Sequence, residues 1–155
     1  MNTEIELIRC VSPFSHRPSP IHVLMKRARH HKGSIYCLAW SPQGDLIATG
    51  SNDKTVKIMR FNAEECGVSE VCGGEQETEL AMHDGTVRDI VFMGDSQTLA
   101  SGGAGDCKIY VTDSPSGQPV ASLPGHGGHV LALSTWASAG AVLASGSQVR
   151  EHCVK

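Results

Sequence analysis

Eight histidines and six cysteines are the side chains of this 155-residue sequence best equipped to hold a metal or attack an electrophile. A structural zinc needs about four such ligands converging on one point, and sequence announces it through spacings such as Cys-x-x-Cys or His-Glu-x-x-His. Neither spacing occurs. His30 and His31 are adjacent, which in an extended chain sends their rings to opposite sides, and His126 and His129 stand three apart in a glycine-rich loop. Cys10, Cys37, Cys66, Cys72, Cys107 and Cys153 are scattered, without an export signal, and read as reduced thiols. The run Gly102-Gly103-Ala104-Gly105-Asp106-Cys107-Lys108 has the glycines of a phosphate cradle but lacks the Gly-Lys-Ser/Thr that opens a helix. No Gly-x-Ser-x-Gly elbow is present. The expectation is a protein that is not an enzyme and takes no cofactor; a metal-dependent enzyme is the weakest alternative.

The elements that carry these residues are short strands. Seventeen glycines, seven prolines and 5% aromatic residues suit many tight turns. His31-Lys32-Gly33-Ser34-Ile35-Tyr36-Cys37-Leu38-Ala39-Trp40 leads to Leu46-Ile47-Ala48-Thr49-Gly50-Ser51. The same grammar returns from His83 to Phe92 with Thr98-Leu99-Ala100-Ser101-Gly102, and from His126 to Leu133 with Val142-Leu143-Ala144-Ser145-Gly146-Ser147. The leading histidines are 52 and then 43 residues apart. Alternation puts Ile35, Cys37 and Ala39 on one strand face and Tyr36, Leu38 and Trp40 on the other, so both faces are expected to lie inside stacked sheets, with Trp40 and Trp136 as packing residues. Ser41-Pro42-Gln43-Gly44-Asp45 is turn chemistry.

These residues resemble the WD40 repeat, whose four-stranded unit builds β-propeller blades at a period of ~40–45 residues. The resemblance implies an all-β fold, a partial WD40 β-propeller of about two full four-stranded blades plus half a blade, with its ring not closed. Residues 1–20 are expected to be a mobile Pro/Ser-containing segment, and 21–155 the partial propeller. Its repeats fall at about 28–61, 80–113 and 123–148, with an acidic loop at 62–78 and a divergent end at 149–155. About eleven strands are expected, the first at Ile21-His22-Val23-Leu24-Met25. In WD40 blades a histidine, a Ser or Thr, an Asp and a Trp commonly share a buried hydrogen-bond network. The resemblance carries those roles onto His31, Thr49 and Asp53, onto His83, Ser101 and Asp106, and onto His126 and Ser145. Met59 stands where the Trp would be and Arg60 where the Asp of the name would follow; Asp106 comes one residue late, and Gln148 replaces the third Asp.

Lys26-Arg27-Ala28-Arg29-His30-His31-Lys32 is the densest basic run in a chain of net charge −3. Lys26, Arg27, Arg29 and Lys32 suit an acidic protein partner, while the overall charge argues against a nucleic-acid binder. No apolar run approaches the ~20 residues of a membrane span. Ser12 and Ser19, each before a proline, are candidate phosphorylation sites. The wording around His30 to Tyr36, Met82 to Thr86 and Ala104 to Tyr110 is similar to the neuronal, microtubule-associated nemitin subfamily. That similarity implies a protein-interaction scaffold with microtubules or microtubule-associated proteins as partners, in the cytoplasm or on the cytoskeleton. The alternative is a propeller fragment that needs further blades or a partner and binds nothing by itself.

Overall fold

A computed structural model describes residues 4–10, 21–61, 77–136 and 142–148. Among them are twelve strands and no helix: β1 (Glu4–Cys10), β2 (Ile21–Ala28), β3 (Ile35–Trp40), β4 (Leu46–Ser51), β5 (Val56–Arg60), β6 (Glu77–Leu80), β7 (Val87–Phe92), β8 (Thr98–Gly103), β9 (Ile109–Asp113), β10 (Pro119–Leu123), β11 (Val130–Trp136) and β12 (Val142–Ser147). They form antiparallel meanders: β3-β4-β5-β6 and β7-β8-β9-β10 are complete blades, while β1-β2 and β11-β12 are two-stranded. The ring is not closed.

Each blade turns where its sequence demands. Gly44 adopts a φ of 78°, left-handed backbone that glycine enters without a Cβ penalty. The hydroxyl of Ser41 then accepts the Leu46 amide at 2.9 Å, and its own amide donates to the Leu46 carbonyl at 2.9 Å, closing the β3–β4 turn.

Blades stack face to face. Ala48, Val56, Ile58 and Leu80 of the first pack on Val87, Ile90, Phe92 and Leu99 of the second. Ala100 and Ile109 of the second pack on Val130 and Leu133 of the third. Full burial of a Val, Ile or Leu stabilises by about 1.5–3 kcal/mol each, which makes these two seams the main cohesion of the chain. Polar groups cross them too. The Cys37 thiol lies 4.0 Å from the Val87 carbonyl, and the Asp89 carboxylate accepts the Leu133 amide at 2.6 Å.

Four expectations change. Glu4–Cys10, read as part of a mobile segment, is β1, paired with β2 from Glu4↔Ala28 to Cys10↔Ile21; alternating Glu4, Glu6 and Ile5, Leu7 is a strand pattern. Glu77 and Thr78, read as loop, open β6, and 62–76 and 149–155 lie outside the described residues. The outer face of β3 is not inside a stack: Leu38 is 56% and Trp40 41% exposed, because only one face of the first blade meets another full blade, although the Trp40 ring does pack, as expected, edge to face on Phe61 at 5.1 Å. Trp136, expected to pack, is 65% exposed for the same reason on the far side.

Candidate functional site

The first blade gathers its polar residues at one end of β4. His31 Nδ1 donates to Asp53 Oδ2 at 2.9 Å, and its Nε2 meets Thr49 Oγ1 at 2.9 Å. Asp53 also accepts the Lys32 amide at 2.9 Å, the Thr55 amide at 3.0 Å and the Thr55 hydroxyl at 2.7 Å. Burial would raise the Asp53 pKa, but the hydrogen bonds from Thr55, Lys32 and His31 outweigh it and hold the carboxyl well below the usual carboxylate range.

His30 corrects the alternation argument. Instead of pointing away from His31, its Nε2 reaches the same Thr49 Oγ1 at 2.8 Å, and the two rings meet edge to face at 4.8 Å. The chain here is not extended: Arg29 has φ 58°, which turns both imidazoles inward. In the tautomer that donates from Nδ1 to Asp53, His31 Nε2 accepts the Thr49 hydroxyl, whose oxygen accepts from His30.

The second and third blades keep less of this network. His83 Nε2 meets Ser101 Oγ at 2.8 Å, and His126 Nε2 meets Ser145 Oγ at 2.7 Å. Asp106, expected as the second blade's acid, does not join His83. The extra residue in its turn delivers it to the Tyr110 hydroxyl, which donates to Asp106 Oδ2. The Tyr110 ring stands against His83 at 4.8 Å, and His83 Nδ1 has no hydrogen-bond partner among the described residues. The bond to Asp106, with burial, pushes the Tyr110 pKa up to about 12. Near Gln148, in place of a third acid, the backbone bonds to the His129 carbonyl at 2.9 Å.

Burial lowers the His83 pKa, and Asp106 and Asp84 oppose it only partly. The unfolded chain, with imidazole near ~6.5, therefore holds more protons than the folded one just below that pH. Stability from this site is complete above ~6.5 and is lost as pH falls through the folded value. The thermal midpoint is expected to drop between neutral and mildly acidic pH, and His83→Gln is expected to flatten that drop. A profile of equal slope in the variant would assign the acid sensitivity elsewhere.

The basic run divides. Lys26 and Arg27 lie on β2, where Lys26 pairs with Glu6 and Arg27 with Ile5 along the backbone. Arg29 and Lys32 are exposed on the connection into β3, flanking the buried His30 and His31. They border a cleft that also contains Asp53, Thr55, Lys57 and Glu79, with Lys57 Nζ 3.2 Å from Glu79 Oε2. Ser12 and Ser19 lie outside the described residues. Among those residues no group of three or more His, Cys, Asp or Glu is placed to hold a metal. Cys37 and Cys107 are free thiols, and burial with the nearby Asp89 carboxylate pushes the Cys37 pKa up to about 12, leaving it a poor nucleophile.

One surface escaped the sequence reading. Register shifts fall at the same place in each first strand, between Ile35 and Cys37, Val87 and Asp89, and Val130 and Ala132. Such bulges re-aim side chains. The residues inside them are Tyr36, 51% exposed, Arg88, and Leu131, 48% exposed, and the Arg88 guanidinium stacks 4.8 Å over the Tyr36 ring. The signal available in the sequence was a residue breaking alternation at the same distance after each histidine-glycine pair.

Comparison with known proteins agrees with this architecture. Residues 18–59, 74–113 and 117–155 match the family model of the WD domain, G-beta repeat. The chain is 29% identical to Protein HIR1 of Gibberella zeae over 68% of its own length and 11% of that protein's. It is 28% identical to Protein FIZZY-RELATED 1 of Arabidopsis thaliana, covering 81% of the chain and 24% of the relative. Against the guanine nucleotide-binding protein subunit beta-1 of Drosophila melanogaster it is 28% identical, covering 77% and 32%. The chain thus spans less than a third of these relatives. With three repeat matches that cover most of the sequence, laid out as stacked antiparallel blades, the chain belongs to the WD40 (WD domain, G-beta repeat) family.

Proposed function

We propose that this chain is a non-enzymatic protein-interaction scaffold whose ligand is an acidic protein surface, and that the surface is a microtubule with its carboxylate-rich tubulin tails. The observation that carries this reading is the connection into β3. His30 and His31 anchor it in the core and Asp53 fixes the Lys32 amide at 2.9 Å, so Arg29 and Lys32 are displayed on a rigid turn. Lys26 and Arg27 stand just before them in the chain, on β2. The similarity to the nemitin subfamily supports the same partner and a cytoskeletal, cytoplasmic location. Tyr36, Arg88 and Leu131 add a mixed aromatic, cationic and apolar row of the composition that protein interfaces favour.

Replacing Lys26, Arg27, Arg29 and Lys32 together by Ala is expected to reduce microtubule co-sedimentation several-fold, with the residual binding lost at raised salt. Undiminished pelleting would remove the basic run from the argument. A second reading, a fragment without independent binding, is favoured by the open faces that carry Leu38, Trp40, Trp136 and Val142. It predicts that the unaltered chain does not pellet with microtubules at all.

A further inference from the structure

We propose that β11–β12 of one chain and β1–β2 of a second copy are the two halves of one four-stranded blade, so that two copies join through composite blades. The hairpin β11–β12 is the first half of a blade: it has the bulge between Val130 and Ala132, and His126 bonded to Ser145, as His31 is to Thr49 and His83 to Ser101. The pair β1–β2 is the second half. It precedes β3 in the chain as β5–β6 precede β7 and β9–β10 precede β11. Placed side by side, β11-β12 followed by β1-β2 of the other copy reproduces the order β3-β4-β5-β6.

The edge that β12 presents favours this pairing, while β1 brings Glu4, Glu6 and Arg9 to it. Strands at the rim of a sheet are normally guarded by charge or proline. The outer strand β6 carries Glu77 and Glu79, and β10 opens with Pro119. β12, Val142-Leu143-Ala144-Ser145-Gly146-Ser147, has neither, and β11 is its sole strand neighbour among the described residues. Its six residues meet the seven of β1, close to the six-to-five junctions of β4 with β5 and β8 with β9.

The faces fit as well. A Cβ built on Gly50 would lie 2.6 Å from Val87 Cγ1, and one on Gly102 would lie 2.5 Å from Val130 Cγ1, so each glycine seats the incoming residue of the next blade. Gly146 is the third glycine of this set, and a Cβ there meets only Ala132 at 3.7 Å. Its seat is open. On the opposite end of the stack, Ile35, Leu38 and Trp40 hold the positions of Val87, Ile90 and Phe92, with Leu38 and Trp40 exposed. One chain therefore carries both halves of a third seam, a head-to-tail contact that closes when two copies meet.

Light scattering coupled to size-exclusion chromatography of the full chain tests this. The expected mass is twice the 16.4 kDa of one chain at high concentration, falling to one on dilution. Gly146→Val, or Ala144→Asp on the same face, blocks one half of the seam; Trp40→Asp blocks the other. Each variant alone is expected to elute at half the wild-type mass with its circular dichroism unchanged. An equal mixture of Ala144→Asp and Trp40→Asp is expected to recover the dimer, because one of its two seams is then wild type on both sides. A wild-type chain that stays monomeric throughout, variants that assemble as the wild type does, or a mixture without recovery would each overturn the proposal.

Discussion

Gly50→Ala is expected to lower the stability of the chain by about 1–3 kcal/mol, the range for forcing extra volume into a packed core. The new methyl would stand 2.6 Å from Cys37 Sγ, 2.6 Å from Val87 Cγ1 and 2.9 Å from Ile90 Cδ1. Val87 is 0% and Ile90 2% exposed, so neither can retreat, and relief must come from separating the first two blades. Gly102→Ala is expected to do the same to the second seam, where Val130 Cγ1 lies 2.5 Å away. Gly146→Ala, at a dilution where the chain is monomeric, is expected to leave the melt within experimental error. One motif position thus gives two losses and one neutral result, read by thermal melts in which each kcal/mol moves the midpoint by roughly 2–4 °C. Equal tolerance of all three would mean that the blades do not stack as described.

Asp53→Ala is expected to cost about 3 kcal/mol. It removes the acceptor for the His31 Nδ1 donor, the Lys32 and Thr55 amides and the Thr55 hydroxyl, and a buried donor left unsatisfied costs about 1–3 kcal/mol. These losses overlap because the groups share one carboxylate, so the total stays well below their sum. Asp106→Ala is the internal comparison, since that carboxylate serves Tyr110 and not His83, and it is expected to cost under ~1 kcal/mol. Urea midpoints of the two variants decide; a loss at Asp106 equal to that at Asp53 would deny the first network its special role. The sign with pH is also fixed. The folded Asp53 pKa is depressed, so its contribution is present above the unfolded value of ~3.9 and is lost as pH falls through the folded value. That window opens at a lower pH than the one set by His83, which opens at ~6.5.

The meander and all three histidine-to-hydroxyl pairs were legible because each depends on local spacing. His31 and Thr49 are 18 residues apart, and so are His83 and Ser101. A fixed strand, turn and strand between the members delivers them to one another. His30 was not legible, since alternation holds only for extended backbone and Arg29 breaks it with a positive φ. Nor was the destination of Asp106, where one inserted turn residue shifts the carboxylate from an imidazole to the Tyr110 hydroxyl. The exposure of Leu38 and Trp40 depends on what stacks against β3, and strand periodicity says only that a face is apolar, not that it is covered. Tyr36, Arg88 and Leu131 were missed for a related reason: a bulge is a two-strand property, defined only once the partner register is known.

The two seams described above are unequal. The first buries eight hydrophobic residues in one cluster and the second buries four, with β11 and β12 largely exposed on their far side. Local opening follows the weakest cohesion, so a chain built this way breathes from its last hairpin inward. Amide protons of β11 and β12 then trade with solvent while those of β4 and β7 are still locked. The chain comes apart as a book does, last leaf first, with its first two blades as the binding.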